Sequence, residues 1–155
     1  MNGQLFPVEQ SERTSDDYLT PRWVFDTLGL TFDLDVASPP WETHVPAKRK
    51  FTKADDGLGQ PWEGRVWMNP PYSDVTPWVR RFIGHQEGIG LFPMAKSRWV
   101  NTIWSSDAAL VISQDGGEML FDRPDSKPLR IWFPVFFAAF GDECVEAIGR
   151  LGRVR

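Results

Sequence analysis

A chain of 155 residues with 41% apolar and 14% aromatic content is long enough for one domain with a buried core. Its net charge of −4 argues against a general nucleic-acid coat, because such proteins gain affinity from Lys and Arg through counterion release. One cysteine leaves no internal disulfide or thiolate zinc cluster, and no apolar run is long enough for a membrane-spanning helix, so a soluble cytoplasmic protein is expected.

Residues 1–15 are polar and aperiodic and are expected to form a mobile arm ahead of a single domain over residues 16–155. Thr20-Pro21 predicts a helix start, with Thr20 as N-cap, Pro21 at the first helical position and Gly29 as the stop. Trp23, Val24, Phe25 and Leu28 supply its apolar side. Residues 31–36 alternate, with Phe32, Leu34 and Val36 on one face of a strand and Asp33 and Asp35 on the other. Ala37-Ser38-Pro39-Pro40 ends that strand, and small residues there let a ligand approach the backbone. Residues 38–50 are rich in Pro and cations, with no sign of a crossover helix and with further strands shortened or missing. Asp55 and Asp56 then precede a Gly turn. They suit either a surface Asp-Asp-Gly turn or carboxylate acceptors for a ligand.

Arg65-Val66-Trp67-Met68-Asn69-Pro70-Pro71-Tyr72 is the most informative stretch. Residues 66–68 predict a short strand, and the two prolines allow neither a longer strand nor a helix, leaving a rigid polar elbow at a strand end. In an α/β sheet that is where ligands bind. Asn69 offers a side-chain carbonyl and Pro70 a backbone carbonyl, and the fixed φ of the prolines holds both in place. Two such acceptors suit a planar amino group, whose lone pair is delocalised until its hydrogens are held. Tyr72 adds a face on which a base can stack. The competing reading is a plain turn followed by a buried aromatic.

Thr76-Pro77 repeats the N-cap-plus-Pro signal and predicts a helix with Trp78, Val79, Phe82 and Ile83 inward and Arg80 and Arg81 near the open end, contacting phosphate or simply solvated. A buried strand over 89–92 closes at Pro93. Lys96-Ser97-Arg98-Trp99 then pairs cations with a hydroxyl and an indole at a second strand end, a mixture suited to backbone and base contacts. Further strands are expected at 108–112 and 119–121, with Gly116-Gly117 as the turn between them. A charged loop over 122–130, one or two strands over 131–140 and a closing helix over 142–151 complete the chain. Cys144, Val145 and Ile148 form the apolar side of that helix. His44 and His85 stand at unrelated spacings, so no metal site is expected.

The elbow Asn69-Pro70-Pro71-Tyr72 resembles the catalytic motif of amino-methyltransferases that use S-adenosylmethionine (AdoMet). With Asp17-Tyr18-Leu19-Thr20-Pro21, Phe32-Asp33-Leu34-Asp35-Val36-Ala37, the segment from Phe51 to Leu58 and Trp62, the order of motifs over residues 16–140 is similar to the phage-type DNA N6-adenine methyltransferases. The resemblance implies a single α/β domain with a reduced Rossmann-like core and a mostly parallel, twisted sheet. It implies methyl transfer from AdoMet to N6 of an adenine flipped out of DNA. Asn69, Pro70, Pro71 and Tyr72 would form the catalytic elbow. Thr20, Pro21, Asp35, Ala37, Ser38, Phe51, Asp55, Asp56 and Asn69 would border the cofactor. Tyr72, Arg80, Lys96, Ser97, Arg98 and Trp99 would meet the substrate. No Gly-x-Gly loop follows Asp35, and Glu118 stands where the family tends to carry Arg. The same elbow would serve an RNA adenine, a cytosine N4 or a protein glutamine, and the fold alone would serve a non-catalytic DNA- or partner-binding domain. High Trp content is compatible with a homodimer, although no heptad or self-complementary patch specifies one.

Overall fold

The computed structural model describes residues 19–112, 120–123, 126–130 and 134–155. The expected N-terminal arm, the Gly116-Gly117 turn and Glu118 lie outside the described residues. The described chain is a mixed α/β unit whose six-stranded sheet runs in the order β2-β1-β3-β4-β8-β5. Its strands are β1 (Phe32–Asp35), β2 (Ala47–Lys50), β3 (Val66–Met68), β4 (Gly88–Pro93), β5 (Ala109–Ile112) and β8 (Val135–Phe140). Strands β2, β1, β3 and β4 pair in parallel, while β8 runs antiparallel between β4 and β5. The expected mostly parallel sheet is present.

Side-chain alternation on the strands divides the core into two apolar layers. Ile89 and Leu91 of β4 and Phe137 and Ala139 of β8 face helices α1 (Arg22–Leu28) and α4 (Asp142–Ile148), which contribute Val24, Phe25, Leu28, Cys144, Ala147 and Ile148. On the opposite face, Val66, Met68, Phe92, Phe136, Ala138 and Phe140 meet Val79 and Phe82 of α2 (Thr76–His85) and Trp99 and Ile103 of α3 (Arg98–Trp104). The central strands read as continuous apolar runs because both faces are covered.

Five local expectations are corrected. Helix α1 begins one residue later than its Thr-Pro signal implies: Pro21 is the N-cap, in extended conformation, and no side chain caps the helix. Gly29 ends it as expected, with φ 65° and its N–H donating to the Phe25 carbonyl. Trp23, assigned to the apolar side, is 39% exposed. Helix α2 likewise has Val75 rather than Thr76 as its N-cap, with Pro in the first turn. Residues 47–50 form a strand where shortening or loss was expected, and β6 (Leu120–Arg123) pairs with β7 (Ser126–Arg130) across part of the stretch read as a loop.

The segment after β2 is locked under the end of β1. The Phe51 N–H donates to the Asp35 carbonyl and the Ser38 N–H to the Phe51 carbonyl, both at 2.8 Å. Arg81 of α2 donates to the carbonyls of Leu58 and Gln60 at 2.7 and 2.6 Å and lies 4.7 Å over the Trp62 ring. Trp62 in turn donates its indole N–H to the Gly57 carbonyl at 2.8 Å. A Cβ at residue 57 would stand 2.2 Å from the Val36 carbonyl oxygen, so only glycine permits this approach. Gly57→Ala is expected to lower the unfolding free energy by about 1–3 kcal/mol, read from the denaturation midpoint at unchanged slope.

Candidate active site

Strand order reverses at β1. The chain leaves β1 outward for β2, and β3 lies on the other side of β1, which makes the gap beyond the carboxyl ends of β1 and β3 the topological switch point of the sheet. Flanking crossovers there depart in opposite directions and leave a crevice. Leu19, Thr20, Asp35, Ala37, Pro39, Thr43, Val45, Trp67, Asn69 and Pro70 line it. Its enclosed volume is about 20 Å³, smaller than the roughly 300–1,000 Å³ usual for small-molecule sites, so a ligand of nucleoside size would extend beyond it.

Strand β3 ends at Met68, and the following three residues carry no regular structure, as the Asn-Pro-Pro sequence dictates. Asn69 is half-buried, Pro70 buried, and Tyr72 half-buried against the edge of the α2 and α3 layer. The Asn69 amide nitrogen donates to the Thr20 hydroxyl at 3.4 Å. Thr20 is 5% exposed, and its hydroxyl, read from sequence as a helix cap, is directed across the crevice instead.

Asp35 stands at the carboxyl end of β1 and is 3% exposed. Sequence alternation left open that Asp33 and Asp35 both face water. Only Asp33 does so in part, receiving the Arg65 N–H at 2.8 Å and the Lys48 ammonium at 3.2 Å. Those two contacts hold its carboxyl below the usual value. Burial pushes Asp35 the other way, to about 7, against the smaller opposing effects of the Ala37 N–H and the Lys50 charge. In the sheet Asp35 lies between Lys50 of edge strand β2 and Trp67 of β3, its register partners.

The crevice thus gathers Thr20, Asp35, Ala37, Asn69 and Pro70 from the residues assigned by sequence, and adds Thr43 and Val45 from the β1–β2 connection. A connection rich in proline and without a crossover helix was the signal that this loop could fold across the strand ends. Pro21 and Ser38 are buried beside the crevice but do not line it, and the Ser38 hydroxyl donates to the Pro39 carbonyl at 2.9 Å. Phe51 is half-buried with the Arg49 guanidinium 5.6 Å over its ring. Asp55 does not line the crevice: its Oδ2 accepts from the Thr52 N–H at 2.8 Å and the Thr52 hydroxyl at 3.0 Å in a capping box. These bonds lower its pKa. Asp56 is exposed and occupies a left-handed turn, φ 54°.

Among the substrate assignments, Arg80, Lys96, Ser97 and Arg98 are exposed, the last three between β4 and the first turn of α3. Trp99 corrects the expectation of a base-stacking indole. It is 7% exposed and lies 5.8 Å from Phe92 and 6.4 Å from Phe136, inside the apolar layer. No group of three or more His, Cys, Asp or Glu side chains capable of holding a metal occurs among the described residues.

The model of the family "DNA N-6-adenine-methyltransferase (Dam)" matches residues 8–111, more than half of the chain. The chain belongs to this family. The matched region holds the whole crevice, both strands that frame it and the elbow, so the Dam family signature and the switch-point geometry coincide. A phage relative is also similar: the DNA N-6-adenine-methyltransferase of Haemophilus phage HP1 (strain HP1c1) is 40% identical over 73 residues, 44% of this chain and 41% of that protein. The chain therefore matches about two fifths of the length of this curated relative. No solved structure matches it. No helix among the described residues is long and apolar enough to cross a membrane.

Proposed function

We propose that this Dam family member transfers a methyl group from AdoMet to N6 of adenine in DNA, using the switch-point crevice as cofactor site and the Asn69-Pro70-Pro71-Tyr72 elbow as catalytic centre. The sheet is read as a reduced Rossmann-like methyltransferase core. The observation that carries the proposal is the meeting of a buried carboxyl, Asp35, with the elbow residues Asn69 and Pro70 in one crevice. A carboxyl kept from water with one backbone N–H on its Oδ1 suits the ammonium of the cofactor's amino-acid end. The small Ala37 permits close approach of the remainder. Asp35, Ala37 and Pro70 would hold AdoMet, which supplies an electrophilic methyl group on its sulfonium, while Thr20 and Asn69 would only border it.

The chain's own contribution is positioning. The Asn69 side-chain carbonyl and the Pro70 carbonyl accept the two hydrogens of the adenine amino group, so its nitrogen pyramidalises and recovers a usable lone pair. Tyr72, half-buried and two residues beyond the crevice-lining Pro70, would stack on the extruded base and keep water from it. No covalent intermediate is required, and the proton released from nitrogen passes to solvent. Arg98, Lys96, Ser97 and Arg80 present exposed donors to the DNA backbone.

Incubation with AdoMet and DNA lacking adenine methylation, followed by digestion to nucleosides, tests the proposal: N6-methyl-2′-deoxyadenosine is expected. Methylcytosine, or methylation of RNA or protein instead, would reassign the substrate, and absence of AdoMet binding by the folded protein would leave a non-catalytic binding domain. Arg98→Ala is expected to weaken DNA binding about three- to tenfold and reduce the salt slope by roughly 1, leaving the thermal midpoint unchanged.

A further inference from the structure

Thr20 and Asn69 are 49 positions apart, yet their side chains meet across the crevice, with the Asn69 amide nitrogen donating to the Thr20 hydroxyl oxygen at 3.4 Å. Thr20 does not cap α1: Pro21 occupies the N-cap position, and the helix has no side-chain cap. Its hydroxyl is therefore not committed to the helix that it precedes. At 5% exposure, Thr20 is also held by the surrounding chain and is not a mobile surface group.

The orientation of the Asn69 amide matters because its two ends have opposite hydrogen-bonding character. The oxygen is an acceptor and the nitrogen a double donor, so turning the amide over would present N–H groups to a substrate amino group that itself needs acceptors. The amide torsion of an asparagine is broad and roughly two-fold, so the backbone and the prolines that follow do not select between the two orientations. The Thr20 hydroxyl faces the nitrogen end and accepts from it; with the amide turned over, that hydroxyl would have to donate instead. We propose that Thr20 is a positioning residue for the catalytic elbow: it holds the Asn69 amide nitrogen and thereby leaves the carbonyl oxygen toward the substrate.

This rests on the methyltransferase reading of the elbow, but it makes a separate prediction about the protein without DNA. Thr20→Val keeps the side-chain shape and removes the acceptor, while Thr20→Ser keeps the acceptor and removes a methyl group. In protein with 15N-labelled asparagine, the Asn69 side-chain NH2 pair, assigned by its loss in Asn69→Ala, is expected to shift in Thr20→Val and stay near its original position in Thr20→Ser. Methyl transfer at saturating AdoMet and DNA is expected to fall about 10–100-fold in Thr20→Val, with AdoMet affinity by calorimetry within about threefold, and to recover within about threefold in Thr20→Ser.

An unchanged Asn69 NH2 pair in folded Thr20→Val would overturn the positioning role, whatever the substrate. A Thr20→Val enzyme with normal turnover and weakened AdoMet affinity would overturn it in favour of direct cofactor contact. Should the wild-type protein methylate no DNA at all, the methyltransferase reading fails, and the resonance comparison still decides whether the hydroxyl orients the amide. Loss of folding in Thr20→Val leaves the decision to Thr20→Ala: an Asn69 NH2 pair and a turnover both unchanged from wild type would overturn the proposal.

Discussion

Asn69→Ala is expected to reduce methyl transfer to DNA by about a thousandfold while leaving AdoMet affinity within a few-fold of wild type. The size follows from what the side chain contributes. Removing one preorganised hydrogen-bonding group aimed at a reacting centre typically lowers kcat by roughly 10²–10³, because that group gains strength only as charge develops. At this elbow, loss of the Asn69 carbonyl leaves Pro70 as the sole acceptor, and an amino nitrogen held by one hydrogen stays closer to planar and conjugated with its ring. The pyrrolidine rings remain, so the elbow keeps its path and the crevice wall survives.

Asn69→Asp provides the complementary comparison, since it keeps an acceptor of the same reach and loses the donor that meets Thr20. Its turnover is expected to fall less than that of Asn69→Ala. Single-turnover measurements at saturating cofactor separate the chemical step from DNA association. Retained turnover in Asn69→Ala would remove the elbow from the mechanism.

The elbow was legible because its signals are local. A run of apolar and β-branched residues followed by Asn-Pro-Pro leaves the backbone few choices, and β3 occupies the expected residues 66–68. Strand β4 was legible for a related reason: buried on both faces, it carries uninterrupted apolar residues. Strand β2 carries Ala-Lys-Arg-Lys and was not legible. At a sheet edge the backbone pairing alone makes the strand, and its exposed cations discourage further pairing without writing an apolar pattern.

That omission propagated into the site. Asp35 was recognised as an acidic residue at a strand end, but neither its burial nor its pairing with an edge strand was read from the sequence. Thr20 shows the same limit from another direction. Thr-Pro is a sound local signal for a helix start, and local propensity contains nothing about a residue 49 positions away. At Asp55 a local signal was also present: its Oδ2 accepts from the N–H and hydroxyl of its neighbour Thr52 in a capping box. Trp99 has an indole type suited to stacking, yet the 3.6-residue period of α3 turns it and Ile103 into the core and leaves Arg98 outside.

Asp35→Asn is expected to stabilise the cofactor-free protein at pH 8 and to weaken AdoMet binding by about a hundredfold, two effects with one cause. Burial raises the Asp35 pKa from 3.8 to about 7. Below pH 4 the carboxyl is protonated in both folded and unfolded chains, and no penalty arises. Between pH 4 and 7 the unfolded chain has released its proton while the folded chain retains it, so rising pH favours unfolding. Above pH 7 both are ionised, and the folded state carries the full cost, at most about 4 kcal/mol at 1.36 kcal/mol per pKa unit. Wild-type thermal stability should therefore decline from pH 5 to pH 8. Asparagine cannot ionise, and this part of the decline should disappear in the variant. A cationic ammonium placed against Asp35 offsets the cost by favouring the ionised form. AdoMet affinity should accordingly rise with pH to about 7 and then level, with proton release on binding at pH 6, measurable by calorimetry in buffers of different ionisation enthalpy. Equal AdoMet affinity in Asp35→Asn, or a wild-type affinity independent of pH, would show that the buried carboxyl does not receive the cofactor's ammonium.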